Sequence, residues 1–202
     1  MSGEFTVAEI LRRHCHSRGD HPFVVCDEDR ISYRDADRRS AELARGLIAL
    51  GAGKGTHIGL LYPNGTEFVV GTLAAARIGA VVIPFSTFVT AREMREQLVH
   101  SDTEVLLSAS LFRSHDYVQR LAEVVADPDF DSGHRLLCAA VPQLRQVAIS
   151  YRPAATRRTR DIEAICRLGD TVDPALLRTV EDDVDGCDPL AIVYTSGSTA
   201  AP

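Results

Sequence analysis

The sequence predicts an α/β fold, a parallel sheet with crossover helices, and two observations carry that expectation. Short apolar runs at residues 57–62, 80–84 and 105–108 are too brief for helices, and the intervening segments 66–78 and 91–100 have helical patterning over ten or more residues. Strands joined by connections of that length pair in parallel, and such crossovers are right-handed.

Taken in order, residues 5–17 place Phe5, Ala8, Ile10, Leu11 and Cys15 at mixed spacings of three and four, which predicts a short helix. Residues 23–26 and 31–33 flank the polar turn Asp27-Glu28-Asp29-Arg30, which predicts a hairpin. Between Tyr33 and Gly51, Ala36, Ser40, Leu43, Leu47 and Leu50 share one helical face, while Arg34, Asp37, Arg38, Glu42 and Arg45 fall elsewhere. Gly51 ends that amphipathic helix. After the alternating region, residues 115–126 read as a helix, 127–133 as a polar loop, 147–150 as a buried strand and 161–168 as a short helix. Residues 173–188 read as acidic and irregular, and a last strand at 190–194 leads into Thr195, Ser196, Gly197, Ser198 and Thr199.

A chain of 202 residues with 45% hydrophobic and 25% charged composition can bury a core. Its net charge of -6 argues against a nucleic-acid partner, because phosphate backbones need clustered positive charge. The one basic stretch, Arg152, Arg157, Arg158 and Arg160, reads as a solvated loop. Five cysteines without a C-x-x-C pair suit a reducing, cytoplasmic compartment. Residues 1–10 lack the apolar core of a signal peptide. Residues 68–85 carry only Arg77 as a charge, but a mid-span charge is costly, so Arg77-Ile78-Gly79 reads as a helix end and no transmembrane segment is expected.

Several candidate sites fail on spacing. Gly51-Ala52-Gly53-Lys54-Gly55-Thr56 lacks both nucleotide-loop registers and follows a helix, so it reads as a helix stop and turn. Glu181-Asp182-Asp183-Val184-Asp185-Gly186 begins like a calcium loop but has Ile192 at the twelfth position, so it reads as a solvated acidic loop. His14 and His16, two apart on a helix, do not face each other as metal ligands. His21, His57, His100, His115 and His134 are scattered, and no role is expected of them.

The run from Thr195 to Thr199 is different in kind. Four hydroxyl side chains around one glycine, following a strand, offer O–H and N–H donors and leave room for close approach to an anion. The stretch Tyr194-Thr195-Ser196-Gly197-Ser198-Thr199-Ala200-Ala201-Pro202 resembles the phosphate-binding motif of the adenylate-forming superfamily, with Ala200 where that family usually has glycine. Ile31-Ser32-Tyr33-Arg34-Asp35-Ala36 is similar to the family's early Leu-Thr-Tyr-x-Glu-Leu element. Lys54 to Leu61 followed by Pro63-Asn64 resembles its Gly-Asp-x-Val-Ala-Leu-x-x-Pro-Asn segment, and Ala76 to Pro84 resembles its helix-to-strand Ala-Gly-Ala-x-x-x-Pro element. The likeness runs from about residue 5 to 202, less than half of a complete family member.

That resemblance implies the N-terminal part of the family's large domain, and an acyl-CoA synthetase in particular. A carboxylic acid, fatty or otherwise hydrophobic, would attack the α-phosphorus of ATP with Mg2+, and coenzyme A would then take the acyl group. Residues Thr195, Ser196, Gly197, Ser198 and Thr199 would hold the β and γ phosphates. Pro84-Phe85-Ser86-Thr87 lacks the aspartate usual in amino-acid-activating relatives, which favours the acyl-CoA synthetase branch over an amino-acid adenylation domain. Residues 1–202 are expected to form an incomplete adenylation domain, truncated in the phosphate loop, with the C-terminal cap domain absent and no activity alone. The rival expectation is a non-catalytic remnant or interaction module. The strand at 190–194 is expected to leave an open edge able to associate with a complementary half.

Overall fold

The computed structural model describes residues 5–27, 29–126, 130, 134–150 and 161–194. Helix α1 (Val7–Arg18) is followed by the hairpin β1 (Pro22–Cys26) and β2 (Asp29–Ser32), and then by α2 (Tyr33–Ala49). The alternating region comprises β3 (His57–Leu61), α3 (Thr66–Arg77), β4 (Val81–Pro84), α4 (Ala91–His100) and β5 (Val105–Ala109). A two-stranded hairpin, β6 (Leu111–Phe112) and β7 (His115–Asp116), precedes α5 (Tyr117–Val125), β8 (Gln146–Ser150), α6 (Ile162–Leu168) and α7 (Pro174–Asp182). Phe130 is buried, whereas the rest of the loop at 127–133 and the arginines at 152, 157, 158 and 160 lie outside the described residues.

Helix starts follow from local chemistry. Thr6 with Glu9, Ser32 with Asp35 and Thr90 with Glu93 form reciprocal capping boxes at α1, α2 and α4. Asp116 and Asp161 cap α5 and α6. Gly51 and Gly55 take positive φ values of 89° and 78°, so the glycine-rich stretch is a turn between α2 and β3.

Strands β4, β3, β5 and β8 form, in that order, a four-stranded sheet whose neighbours all pair in parallel. Side-chain alternation divides its two faces. Ile58, Leu60, Val82, Val105, Leu107 and Ala148 meet α1, α2, α3, α6 and α7 in one core. Leu61, Ile83, Leu106, Val147 and Ile149 meet α4 and α5 in the other. Burial on both faces explains why these strands read as continuous apolar runs. Each fully buried leucine or isoleucine contributes roughly 1.5–3 kcal/mol from area removed from water. Because α3 and α4 lie on opposite faces, the chain passes from β4 to the far side of β3, and its path reverses between β3 and β5.

Three elements depart from the sequence expectation. Residues 174–182 of the stretch read as irregular form α7, started by Asp173, whose side chain accepts from the Ala175 N–H, and by Pro174 in the first turn. Leu177 and Val180 at spacing three supply its apolar face. Replacing Asp173 by alanine is expected to lower stability by about 1 kcal/mol, read from urea denaturation, because the cap is lost. Residues 115–116 are a strand rather than helix, paired with β6 across a tight turn in which Arg113 has φ 54°. The third departure, at 190–194, belongs to the candidate site.

Candidate functional site

The segment leading to the hydroxyl-rich loop is held at three successive points. After α7, Asp185 and Asp188 close a turn in which the Asp185 N–H donates to Asp188 Oδ2 at 2.7 Å and the Cys187 N–H to Asp185 Oδ1 at 2.8 Å. Lys54, from the turn before β3, reaches this region: its Nζ lies 2.9 Å from the Asp183 carbonyl and 2.8 Å from Asp188 Oδ2. The Lys54 hydrogen bond holds the Asp188 carboxyl below its usual range, and the Asp185 N–H adds to that. The first part of the acidic stretch, expected to be solvated, includes a buried exception. Glu181 accepts from Arg12 at 2.7 Å and from Arg77, which also pairs with Asp37.

The second hold is the edge of the sheet. The Val82 N–H donates to the Leu190 carbonyl and the Ile192 N–H to the Val82 carbonyl, both at 2.9 Å, a single parallel bridge between Val82 and Ala191. The expected strand at 190–194 is therefore reduced to one bridge, and the reason lies in the next rung. Backbone groups alternate along β4, so the Val81 and Phe85 N–H groups donate inward, to the carbonyls of Thr56 and Leu60, while Val82 and Pro84 face the outer edge. Pro84 has no N–H to give there, and its carbonyl is taken by Gln97 Nε2 at 3.2 Å. Leu190, Ile192 and Val193 remain exposed along this edge.

The third hold is Tyr194. Its hydroxyl lies 2.6 Å from Nδ1 of His100, and the two rings meet edge to face with centroids 5.6 Å apart. Burial lifts the Tyr194 phenol above its ordinary value, a bond to Ser101 opposes this, and the charge of Asp102 adds to it. Residues Thr195, Ser196, Gly197, Ser198 and Thr199 lie outside the described residues. The roles of Lys54 and His100 in holding the segment, and of Gln97 in occupying the Pro84 carbonyl, were not legible in the sequence, since each depends on contacts more than ten residues away.

A separate cavity of about 670 Å³ opens at the carboxyl ends of β3, β5 and β8, where the chain path reverses. Tyr62, Asn64, Ser110, Phe112, Arg113 and Ser150 are among its lining residues. Tyr62 is buried and its hydroxyl bonds Ser150 Oγ at 3.1 Å across the floor; burial is the main cause of its raised phenol pKa. Ligands favour such reversal points in open α/β sheets, yet β4 separates this cavity from the 190–194 segment, so it is not the root of the loop. Among the described residues, no group of three or more His, Cys, Asp or Glu is placed to hold a metal ion. Among them, also, no helix is long and apolar enough to cross a membrane. The five cysteines are free thiols, and burial raises that of Cys166 to about 11.

A layered α/β domain with a parallel sheet, whose edge segment runs into a Ser/Thr/Gly sequence, defines the class of protein. Residues 11–202 match the AMP-binding enzyme family, and the chain belongs to it. It is 27% identical over 204 residues to acyl-CoA ligase SID4 of Ajellomyces capsulatus, covering 98% of this chain and 32% of the relative. It is 30% identical over 214 residues to the acetyl-coenzyme A synthetase of Halorhodospira halophila, covering 99% of this chain and 30% of the relative. Among solved structures, a Mycobacterium tuberculosis fatty acyl CoA synthetase superposes with a TM-score of 0.69 at 21% identity, over 95% of this chain and 32% of the other. The chain spans about a third of the length of these curated relatives.

Proposed function

We propose that residues 1–202 supply the phosphate-binding part of an adenylation domain in an ATP-dependent acid–thiol ligase. The observation that carries this reading is the position of the hydroxyl run: it follows directly on a segment fixed to the edge of a parallel sheet, in a chain of the AMP-binding family. In this reading Thr195, Ser196, Gly197, Ser198 and Thr199 hold the β and γ phosphates of Mg2+-bound ATP, and their donor set suits phosphoryl oxygens. Their work is positioning and charge stabilisation, so that a carboxylate meets the α-phosphorus in line. The whole enzyme then passes the acyl group to coenzyme A. A hydrophobic carboxylic acid as substrate and a cytoplasmic setting belong to the same reading, supported by the acyl-CoA ligases among the relatives and by the free thiols.

Residues 195–199 are neutral donors, and charge-assisted bonds to an anion are roughly twice as strong as neutral ones. The 202-residue chain is therefore expected to bind Mg·ATP weakly and to show no ATP–pyrophosphate exchange above a blank with any acid. Titration calorimetry on this chain, and on one with Thr195, Ser196, Ser198 and Thr199 all changed to alanine, tests the loop. Binding that persists unchanged in the fourfold variant refutes the assignment, and exchange by the unaltered chain refutes its inactivity.

A further inference from the structure

Helices α2 and α7 flank an open groove of about 380 Å³ that takes its positive charge from five arginines: Arg38 and Arg45 of α2, Arg178 of α7, Arg12 of α1 and Arg77 of α3. Three carboxylates, Asp37, Glu42 and Glu181, line it as well. They are already engaged. Asp37 and Glu181 hold Arg77, Glu181 also holds Arg12, and Glu42 accepts from Arg38 at 3.0 Å. Arg45 is left with the Asp170 carboxylate at 3.9 Å, whose side chain is 74% exposed, and with the Val172 carbonyl at 3.4 Å. For Arg178, which is exposed, no ion-pair or hydrogen-bond partner stands among the described residues. Five guanidiniums against three carboxylates leave the lining positive, in a chain whose net charge is -6. Pairing along one solvated helix face accounts for Arg38 with Glu42. It does not account for two under-partnered guanidiniums that line one cavity from two different helices.

We propose that this groove is an anion site for the phosphate group of a small molecule, with Arg45 and Arg178 as its charged contacts. The proposal is independent of the assignment of residues 195–199. A guanidinium offers a planar fork of N–H donors that matches two phosphoryl oxygens, and such charge-assisted bonds are roughly twice as strong as neutral ones. The groove's volume lies within the roughly 300–1,000 Å³ of small-molecule sites. Ala41, Pro174 and Leu177 add apolar surface to the same lining, so there is room for an organic body beside the anion. The buried Arg77–Glu181 pair joins α3 to α7 at the groove, so its walls are set before a ligand arrives.

Titration calorimetry with pyrophosphate and with AMP, without Mg2+ and at constant ionic strength, tests this on the full 202-residue chain. The same titrations on the variant with Thr195, Ser196, Ser198 and Thr199 all changed to alanine separate the groove from the loop, and both chains are expected to bind pyrophosphate equally. Arg178→Gln is expected to weaken that binding about ten-fold, as the loss of a hydrogen bond to a charged group does. Arg45→Gln should act in the same direction. Because Arg178 is exposed and unpaired, Arg178→Gln should melt with the wild type, so the test does not depend on how well Arg45→Gln folds. Arg178→Lys, which keeps the charge but not the fork, should fall between the two. Arg95→Gln, at an exposed arginine of α4, should change nothing. Tighter binding of AMP identifies a nucleotide whose body lies on the apolar wall, tighter binding of pyrophosphate identifies a free anion, and either supports the phosphate chemistry. Equal pyrophosphate affinity in the wild type and in Arg178→Gln overturns the proposal. Binding that disappears in the fourfold alanine variant but survives in Arg178→Gln overturns it too, while supporting the loop assignment. A wild type that binds neither probe also overturns it.

Discussion

Replacing Glu181 by alanine is expected to destabilise the chain by about 3 kcal/mol, the lower end of what breaking a buried ion pair costs. The Glu181 side chain is 2% exposed and lies between two guanidinium groups, Arg12 at 2.7 Å and Arg77. Arg77 is itself 4% exposed and also bonds Ser40 Oγ at 2.9 Å, the Asp37 carbonyl at 3.1 Å and the Asp37 carboxylate. Removing Glu181 leaves Nη1 of a buried guanidinium unanswered, while Ser40 keeps Nε and Asp37 keeps Nη2, so the cost stays at the lower end. The network ties α1, α2, α3 and α7 together, and the same α7 leads into the segment that carries the loop. Urea denaturation followed by circular dichroism measures the loss. Glu181→Gln, which keeps the shape and the acceptor oxygen but not the charge, should lose less. The double change Arg77→Met with Glu181→Met should lose less than Glu181→Ala, because no buried charge is left without its partner. A loss below about 1 kcal/mol for Glu181→Ala would mean that water or Asp37 replaces the carboxylate at little cost.

The central architecture was legible because it rests on short-range patterning. Residues 57–62, 80–84 and 105–108 announce buried parallel strands by their unbroken apolar character. What was missed depends on long-range contacts or on weak local signals. Glu181 sits in an acidic run and carries no sign of the two arginines, 104 and 169 residues away, that bury it. The Asp173-Pro174 pair is a helix-start signal that the reading of residues 173–188 as acidic and irregular passed over. The β6–β7 hairpin has Arg113 in the left-handed region at its turn, where asparagine or glycine would have signalled it. At the candidate site the hydroxyl-glycine run was visible from residue types alone. The shortening of its strand to a single bridge needed the directions of the Pro84 backbone groups, which follow from pairing register and not from composition.

Gly46→Ala is the second substitution expected to cost much, and it runs against helix propensity. Gly46 lies inside α2, where alanine would ordinarily gain about 1 kcal/mol. A Cβ there would stand 2.3 Å from the Ile165 carbonyl oxygen and 2.6 Å from its Cγ2. The nearest obstacle is backbone, so α6 must move away from α2 rather than a side chain rotate. Gly169 presents the same contact from the other side, its added Cβ falling 2.7 Å from the Gly46 nitrogen. Overpacking of this kind costs roughly 1–3 kcal/mol, and the loosened α2–α6 contact adds to it, so a net loss of about 2 kcal/mol is expected. For a chain of this size that is a fall in melting temperature of about 4–8 °C. Gly169→Ala should act in the same direction, and the two together should lose less than their sum, because one displacement of α6 relieves both clashes. Gly53→Ala is the control: it has no positive φ and nothing within 4 Å of its added Cβ, so its melting temperature should stay level or rise slightly. A Gly46→Ala chain that melts at or above the wild type would show that α6 can yield freely, and that the close approach of the two backbones contributes nothing to the fold.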